Sequence, residues 1–146
     1  MINRCHFYNF TVAAHQPSRP VLIQKGVIPP VVQLCTKSVN QQVLANSAEA
    51  LRNLARADGF RKLMVDGEAV ASLVHLCDRG DVAVKQFATG ALANLALNNA
   101  ATFPLVKEVV TDIIFGICKE YGEADATVLS NAVVILRNLA KHEYSR

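Results

Sequence analysis

The segment around Asn53 separates its apolar and polar residues onto two opposite faces when it is drawn as a helix of about 100° per residue. The apolar side is made up of Leu44, Ala48, Leu51 and Ala55. The opposite side is made up of Gln42, Asn46, Glu49, Arg52, Asn53 and Arg56. The pattern predicts an amphipathic helix that buries its apolar side and exposes its polar side, Asn53 included.

Two shorter apolar segments flank this helix. Residues 29–36 begin with Pro29 and Pro30, which suit a first helical turn because the amide hydrogens that proline lacks have no helical partner there. After the Asn53 helix, Asp58 and Gly59 favour a turn, and residues 60–65 predict a brief helix that ends at Gly67. The chain is therefore expected to group its helices in units of about three.

These segments recur along the chain. The sequence EALRNLA at 49–55 matches GALANLA at 90–96 and VILRNLA at 134–140, so Asn53, Asn94 and Asn138 occupy one position of a repeat. Upstream, VVQLC at 31–35 matches LVHLC at 73–77, and 113–118 is a looser third copy. Gly26 and Gly67, 41 residues apart, fit the left-handed turn that ends a helix. A repeat of roughly this length indicates stacked helical units.

The order of the glycine, the LVxLC-like run and the ALxNLA-like helix resembles the armadillo repeat, in the manner of catenin-like members. The resemblance implies an all-α, right-handed α-solenoid of about three repeats with three helices each. We expect a single domain, 1–146, made of a partial repeat at 1–25, repeats at 26–66 and 67–107, and a divergent or partial repeat at 108–146. Neither end of the stack shows the polar cap that solenoids usually carry. We therefore also expect a longer array or end-to-end self-association.

The resemblance further implies that the third helices line a concave groove that holds a partner protein. It would place Asn53, Asn94 and Asn138 there, with Asn9 as the counterpart in the partial repeat. A side-chain amide both donates hydrogen bonds to an extended peptide backbone and accepts them from it. A row of asparagines can therefore bind the main chain of a peptide whatever its side chains are. In the alternative interpretation, the asparagines only bridge neighbouring helices or cap turns.

Specificity is expected from positions four before, one before and three after each asparagine, which share its helix face. The candidate groove residues beside the asparagines are Glu49, Arg52, Arg56, Phe87, Gly90, Leu97, Arg137 and Lys141. An open apolar middle at Phe87, Gly90 and Leu97 with basic sides favours an extended segment with an apolar anchor flanked by acidic residues. Phe87 could instead belong to the core.

Nuclear-transport members of the family, importin-α among them, place a tryptophan four residues before each asparagine. Here Glu49, Gly90 and Val134 stand at those positions. No aromatic cage for lysine side chains can form from them. Recognition of a basic localisation signal by that mechanism is therefore not expected.

Composition excludes several other classes. A net charge of +3 dispersed over 146 residues lacks the dense basic stripe of a nucleic-acid binder, and no stretch is long and apolar enough for a membrane span. The cysteines form no CxxC pair, and three of them, Cys35, Cys77 and Cys118, share one inward repeat position. No catalytic residue, metal site or cofactor is predicted, and His75 is interpreted as structural.

The sequence thus predicts a non-enzymatic protein-binding scaffold or adaptor in the cytoplasm or the nucleus. The alternative is a regulatory or substrate-docking arm of an enzyme assembly, such as a ubiquitin ligase, whose catalysis lies elsewhere. The sequence does not separate the two.

Overall fold

The computed structural model describes residues 18–66, 68–97, 104–121 and 125–143. The helices in these ranges are α1 (Arg19–Gln24), α2 (Ile28–Lys37), α3 (Gln41–Leu54), α4 (Asp58–Asp66), α5 (Ala69–Arg79), α6 (Val82–Leu95), α7 (Pro104–Tyr121) and α8 (Ala126–Glu143). Asn9, named above as a counterpart of Asn53, and Gly67 lie outside the described residues. The all-α prediction is confirmed.

The helices form layers of equivalent elements. The third helices α3, α6 and α8 pack on one another in that order, and the second helices α2, α5 and α7 form a parallel row behind them. Within the described ranges, the first two units hold three helices each, α1 to α3 and α4 to α6. Helix α7 runs unbroken across position 107, so the division into repeats at 26–66, 67–107 and 108–146 stays a prediction.

The apolar face predicted for α3 is confirmed, because Leu44, Ala48, Leu51 and Ala55 are all buried. Asn53 is also buried, so the prediction that this asparagine is exposed was wrong. A helical wheel assumes a single packing surface. In the stack, α3 packs against both α2 and α6, and eight of its 14 residues are buried.

The third helices begin with side-chain caps. Asn40 Oδ1 accepts hydrogen bonds from the amides of Gln42 and Val43, and Asp81 Oδ1 accepts one from Val84 at 2.9 Å. Asp125 Oδ1 accepts one from Val128 at 3.2 Å. Such caps satisfy amide hydrogens that have no partner within the helix.

Two sequence-based loop assignments near the helix ends need correction. Asp58 and Gly59 form the first turn of α4, and the chain turns instead at 55–57. The acidic stretch at 120–125 predicts a solvated loop, yet α7 extends to Tyr121 and Asp125 is buried as the cap of α8. By contrast, Gly26 has φ +64° after α1, as the glycine-turn prediction requires.

The repeat cysteines lie where the pattern placed them. Cys35 and Cys77 are buried and Cys118 is half-buried, and all three are free thiols. Burial raises the pKa of the Cys35 thiol to about 12, with a backbone hydrogen bond opposing. Burial likewise raises the pKa of Cys77 to about 12, which Lys85 opposes and Asp78 reinforces. These thiols are packing residues of the second-helix row.

Candidate functional site

The third-helix surface consists of the side chains around the repeat asparagines on α3, α6 and α8. Its predicted members differ widely in exposure. Arg56, Leu97, Arg137 and Lys141 are exposed; Glu49, Arg52, Phe87 and Asn94 are half-buried; Asn53, Gly90 and Asn138 are buried. The structure therefore exposes Arg56, Arg137, Lys141 and Leu97 to solvent. Two of the three repeat asparagines are buried between the helices.

Arg52 crosses from α3 to α6 and covers the middle of this surface. A Cβ added at Gly90 would lie 2.9 Å from Arg52 Cδ, so a larger residue at position 90 would displace the arginine chain. Its guanidinium carbon sits 5.0 Å from the centroid of the Phe87 ring, within cation–π range. The apolar middle at Phe87 and Gly90, which was predicted to be open, is therefore covered by the side chain of Arg52 from the preceding repeat.

The same guanidinium is paired with Glu49 one turn earlier on α3. Arg52 Nη2 lies 3.5 Å from Glu49 Oε1, and both side chains are half-buried. Partial burial raises the pKa of Glu49, while the Arg52 charge opposes that shift. Arg52 therefore lies between an aromatic ring and a carboxylate, and both contacts hold it over the third-helix surface.

The asparagines connect successive third helices. Asn94 Nδ2 donates to the main-chain carbonyl of Arg52 at 3.1 Å, and Asn138 Nδ2 donates to that of Ala93 at 3.4 Å. Each carbonyl belongs to the residue just before the preceding repeat's asparagine. Helix bridging, the alternative interpretation of these residues, thus describes Asn94 and Asn138. Each bond uses one of the two amide hydrogens, so the half-buried Asn94 has an oxygen and a second hydrogen that this bond does not use.

Asn131 is a member of this surface that the sequence reasoning missed. Its Nδ2 donates to the carbonyl of Gln86 at 3.2 Å and to Thr89 Oγ1 at 3.1 Å. Gln86 in turn donates from Nε2 to Asp125 Oδ1 at 3.4 Å. The available signal was the seven-residue spacing from Asn138, which puts Asn131 on the same helix face and in the register of Phe87.

The described ranges also contain histidine, cysteine and acidic residues outside this surface. Within them, no group of three or more histidine, cysteine, aspartate or glutamate residues is arranged to hold a metal ion. None of the helices so described is long and apolar enough to cross a membrane. His75 is exposed on α5, with Nε2 2.9 Å from Arg79 Nη1.

Comparison with known proteins gives one family model and one curated relative that match part of the chain. Residues 15–56 match the family model described as Armadillo/beta-catenin-like repeat. Over 73 residues, 49% of this chain, the sequence is 35% identical to importin subunit alpha of Saccharomyces cerevisiae, and the match covers 14% of that protein.

Two solved structures show the same fold. A computationally designed armadillo repeat protein for modular peptide recognition superposes with a TM-score of 0.79 at 25% identity, covering 93% of this chain and 60% of its own. A designed armadillo repeat protein in complex with the peptide (KR)4 gives a TM-score of 0.78 at 20% identity, covering 94% and 62%. The chain thus covers less than two thirds of the length of both designed proteins and of the yeast importin subunit.

The family match starts before α1 and ends just after α3, so it follows the first observed unit of three helices. The later units repeat that arrangement through the stacking of α6 and α8 on α3. Together, the match of residues 15–56, the helix order and the superpositions show that this chain has the armadillo-repeat fold.

Proposed function

We propose that the third-helix surface binds an extended segment of a partner protein, so that the chain acts as a scaffold or adaptor. The observation that carries the proposal is the position of Arg52, held over Phe87 and Gly90 in the middle of the surface. Exposed Arg56, Arg137 and Lys141 continue the positive charge on either side. The surface is therefore suited to a segment that brings negative charge.

The ligand we propose has an apolar anchor flanked by acidic residues. A ligand carboxylate would replace Glu49 as the partner of Arg52, and an apolar side chain would contact Phe87 and the exposed Leu97. Arginine suits this role because its planar guanidinium binds carboxylates through two parallel hydrogen bonds. The remaining amide capacity of Asn94 would meet the ligand backbone.

This chemistry is opposite to that of the designed relative bound to (KR)4, which provides a direct test. The probes are two fluorescein-labelled peptides, (KR)4 and a peptide of equal length that alternates aspartate and glutamate around a central leucine. Fluorescence anisotropy with the full chain should show saturable binding of the acidic peptide only. Affinity should fall with added salt, because screening weakens exposed charge pairs.

The matched variants are Arg52→Glu and Lys62→Glu. Both reverse one charge, but Lys62 is an exposed residue of α4, outside the third-helix surface. Arg52→Glu should weaken the affinity for the acidic peptide about tenfold or more, as expected when one charge of a partly desolvated pair is reversed. Lys62→Glu should change it little. Equal loss in both variants, or tighter binding of (KR)4, would refute the proposal.

The same surface would serve a free-standing adaptor or a substrate-docking arm of an enzyme assembly such as a ubiquitin ligase. Copurification of the chain with a catalytic subunit would favour the docking arm. We place either form in the cytoplasm or the nucleus, where free thiols such as Cys35 and Cys77 stay reduced.

A further inference from the structure

Glu49 lies beside the central cation of the third-helix surface, one turn before Arg52 on α3. Its Oε1 is 3.5 Å from Arg52 Nη2, and the Glu49 side chain is 19% exposed against 36% for that of Arg52. A carboxylate that forms a strong charge-assisted hydrogen bond with arginine lies closer, at about 2.7–2.9 Å. Glu49 therefore neutralises Arg52 from nearby without a hydrogen bond of that strength.

The ion pair is not needed to stack the helices. Helix α6 has Gly90 and Ala93 at the positions of Glu49 and Arg52, so it carries no such pair. It nevertheless supports α8 as α3 supports α6, because in both cases the residue before the repeat asparagine accepts a hydrogen bond from the next repeat's asparagine through its main-chain carbonyl. An ion pair at the surface also contributes little stability. Stacking therefore does not account for Glu49.

The folded protein holds the Glu49 carboxylate where its charge is disfavoured. Partial burial raises the pKa of Glu49, and the Arg52 charge opposes only part of that rise. Burial has this effect because a carboxylate loses the water that stabilises its ionised form. Carboxylates with perturbed ionisation occur preferentially at functional sites, and the group that Glu49 contacts is the central cation of the proposed binding surface.

Arg52 has little room to leave Glu49. Its Cδ would lie 2.9 Å from a Cβ added at Gly90, and its guanidinium carbon is 5.0 Å from the centroid of the Phe87 ring. The arginine chain is thus confined between α6 on one side and the Glu49 carboxylate on the other. A ligand carboxylate that approaches Arg52 must displace Glu49 or lie next to a like charge, and both cost binding free energy.

From this arrangement we infer that Glu49 is an intramolecular competitor that lowers the affinity of the third-helix surface for acidic segments. The inference rests on the function proposed above, in which a ligand carboxylate binds Arg52. Because Glu49 is tethered one turn away, it competes at an effective concentration on the order of millimolar or more. The surface without a ligand is therefore partly neutralised by its own carboxylate, and removal of that charge strengthens binding.

The test is a double-variant cycle with the full 146-residue chain and the acidic, fluorescein-labelled peptide described above. The variants are Glu49→Gln, Arg52→Gln and the combination of the two. Glutamine keeps the size of glutamate and removes its charge. Fluorescence anisotropy should show that Glu49→Gln binds the peptide about three- to tenfold more tightly than the unmodified chain. In the Arg52→Gln background the same change should gain little, because no guanidinium remains to compete for.

The matched control is Glu68→Gln. Glu68 is exposed at the start of α5, outside the third-helix surface, and its replacement changes the net charge by the same amount. It should change the affinity by less than about twofold, because charges distant from the ligand are screened by salt. Circular dichroism of all four variants shows whether the helices are intact.

Three results would overturn the inference and leave the proposed function standing. The first is binding of the acidic peptide that Arg52→Glu weakens but Glu49→Gln does not strengthen. The second is an equal gain from Glu49→Gln with and without Arg52, and the third is an equal gain from Glu68→Gln. Both of these would show a general effect of net charge. If neither the unmodified chain nor Glu49→Gln binds the acidic peptide, the proposed function is refuted and the inference with it.

Discussion

The side-chain amide of Asn94 donates a hydrogen bond to the main-chain carbonyl of Arg52, 42 residues earlier in the chain. The residue whose carbonyl is bound also supplies the guanidinium that lies over Phe87. The two contacts, one through the Arg52 main chain and one through its side chain, join two successive repeats at the centre of the third-helix surface. In the function that we propose, stacking and recognition would depend on the same pair of residues.

Replacing the bridging asparagines should destabilise the stack measurably. Asn94→Ala and Asn138→Ala each remove a hydrogen bond between third helices, and each should lower the free energy of unfolding by about 1 kcal/mol. Urea denaturation measures the change. Gln42→Ala is the control, because the side-chain amide of Gln42 donates to Asn46 Oδ1 on the exposed side of its own helix. Asparagine variants no less stable than Gln42→Ala would argue against a bridging role.

The caps of the third helices should contribute similar amounts. Asn40→Ala and Asp81→Ala leave amide hydrogens at the starts of α3 and α6 without their acceptors, at a cost of about 1 kcal/mol each. Asn40→Ser keeps a capping oxygen and should retain most of the stability. The measurement is thermal unfolding followed by circular dichroism at 222 nm. If serine and alanine were equally destabilising, the cap would not be the cause.

Two glycines should respond to alanine in opposite directions. At both Gly26 and Gly116 an added Cβ would meet no atom within 4 Å, so the backbone alone decides the outcome. Gly26 has φ +64°, and alanine there should cost about 1 kcal/mol. Gly116 lies inside α7, where alanine should stabilise the helix by up to about 1 kcal/mol. Shifts of the same sign in urea midpoints would contradict this explanation.

The buried thiols should make the protein less stable at alkaline pH. An unfolded cysteine ionises near its ordinary pKa of 9.0, whereas folded Cys35 and Cys77 stay protonated up to about 12. Between these values the unfolded state binds fewer protons, so stability falls as pH rises, by about 1.4 kcal/mol per pH unit for each thiol. Below pH 9 this contribution is fully present.

Urea unfolding across that alkaline range checks the prediction. Cys35→Ala and Cys77→Ala should each reduce the slope of stability against pH, while the cost of the lost packing stays the same at every pH. Slopes equal to that of the unmodified chain would show that these thiols do not contribute. In the folded protein at neutral pH, Ellman's reagent should leave both thiols unmodified until denaturant is added.

Sequence patterns anticipated most of the architecture here. The buried stripe from Leu44 to Ala55, the inward cysteines and the turn at Gly26 were all predicted, because each follows from neighbours within a few residues. The repeat then extended those local rules along the chain. The exposed position assigned to Asn53 failed because a wheel of α3 alone contains no information about the elements packed around that helix.

The candidate surface was only partly predictable for the same reason. The sequence singled out the positions around each asparagine as candidates. It did not predict that the Arg52 side chain extends over Phe87, into the space beside Gly90 in the next repeat. Asn131 was missed because its partners, Gln86 and Thr89, lie on another helix. The burial of Asp125 likewise depends on how α8 meets the stack.

The sequence by itself therefore determined the helices, their period and their apolar faces, since these depend on side chains three or four residues apart on one helix. Tertiary structure alone decided which polar side chains are exposed on the third-helix surface and which join the repeats. That division depends on distances between residues about forty positions apart, as for Asn94 and Arg52. Such distances are set only when the helices pack in register.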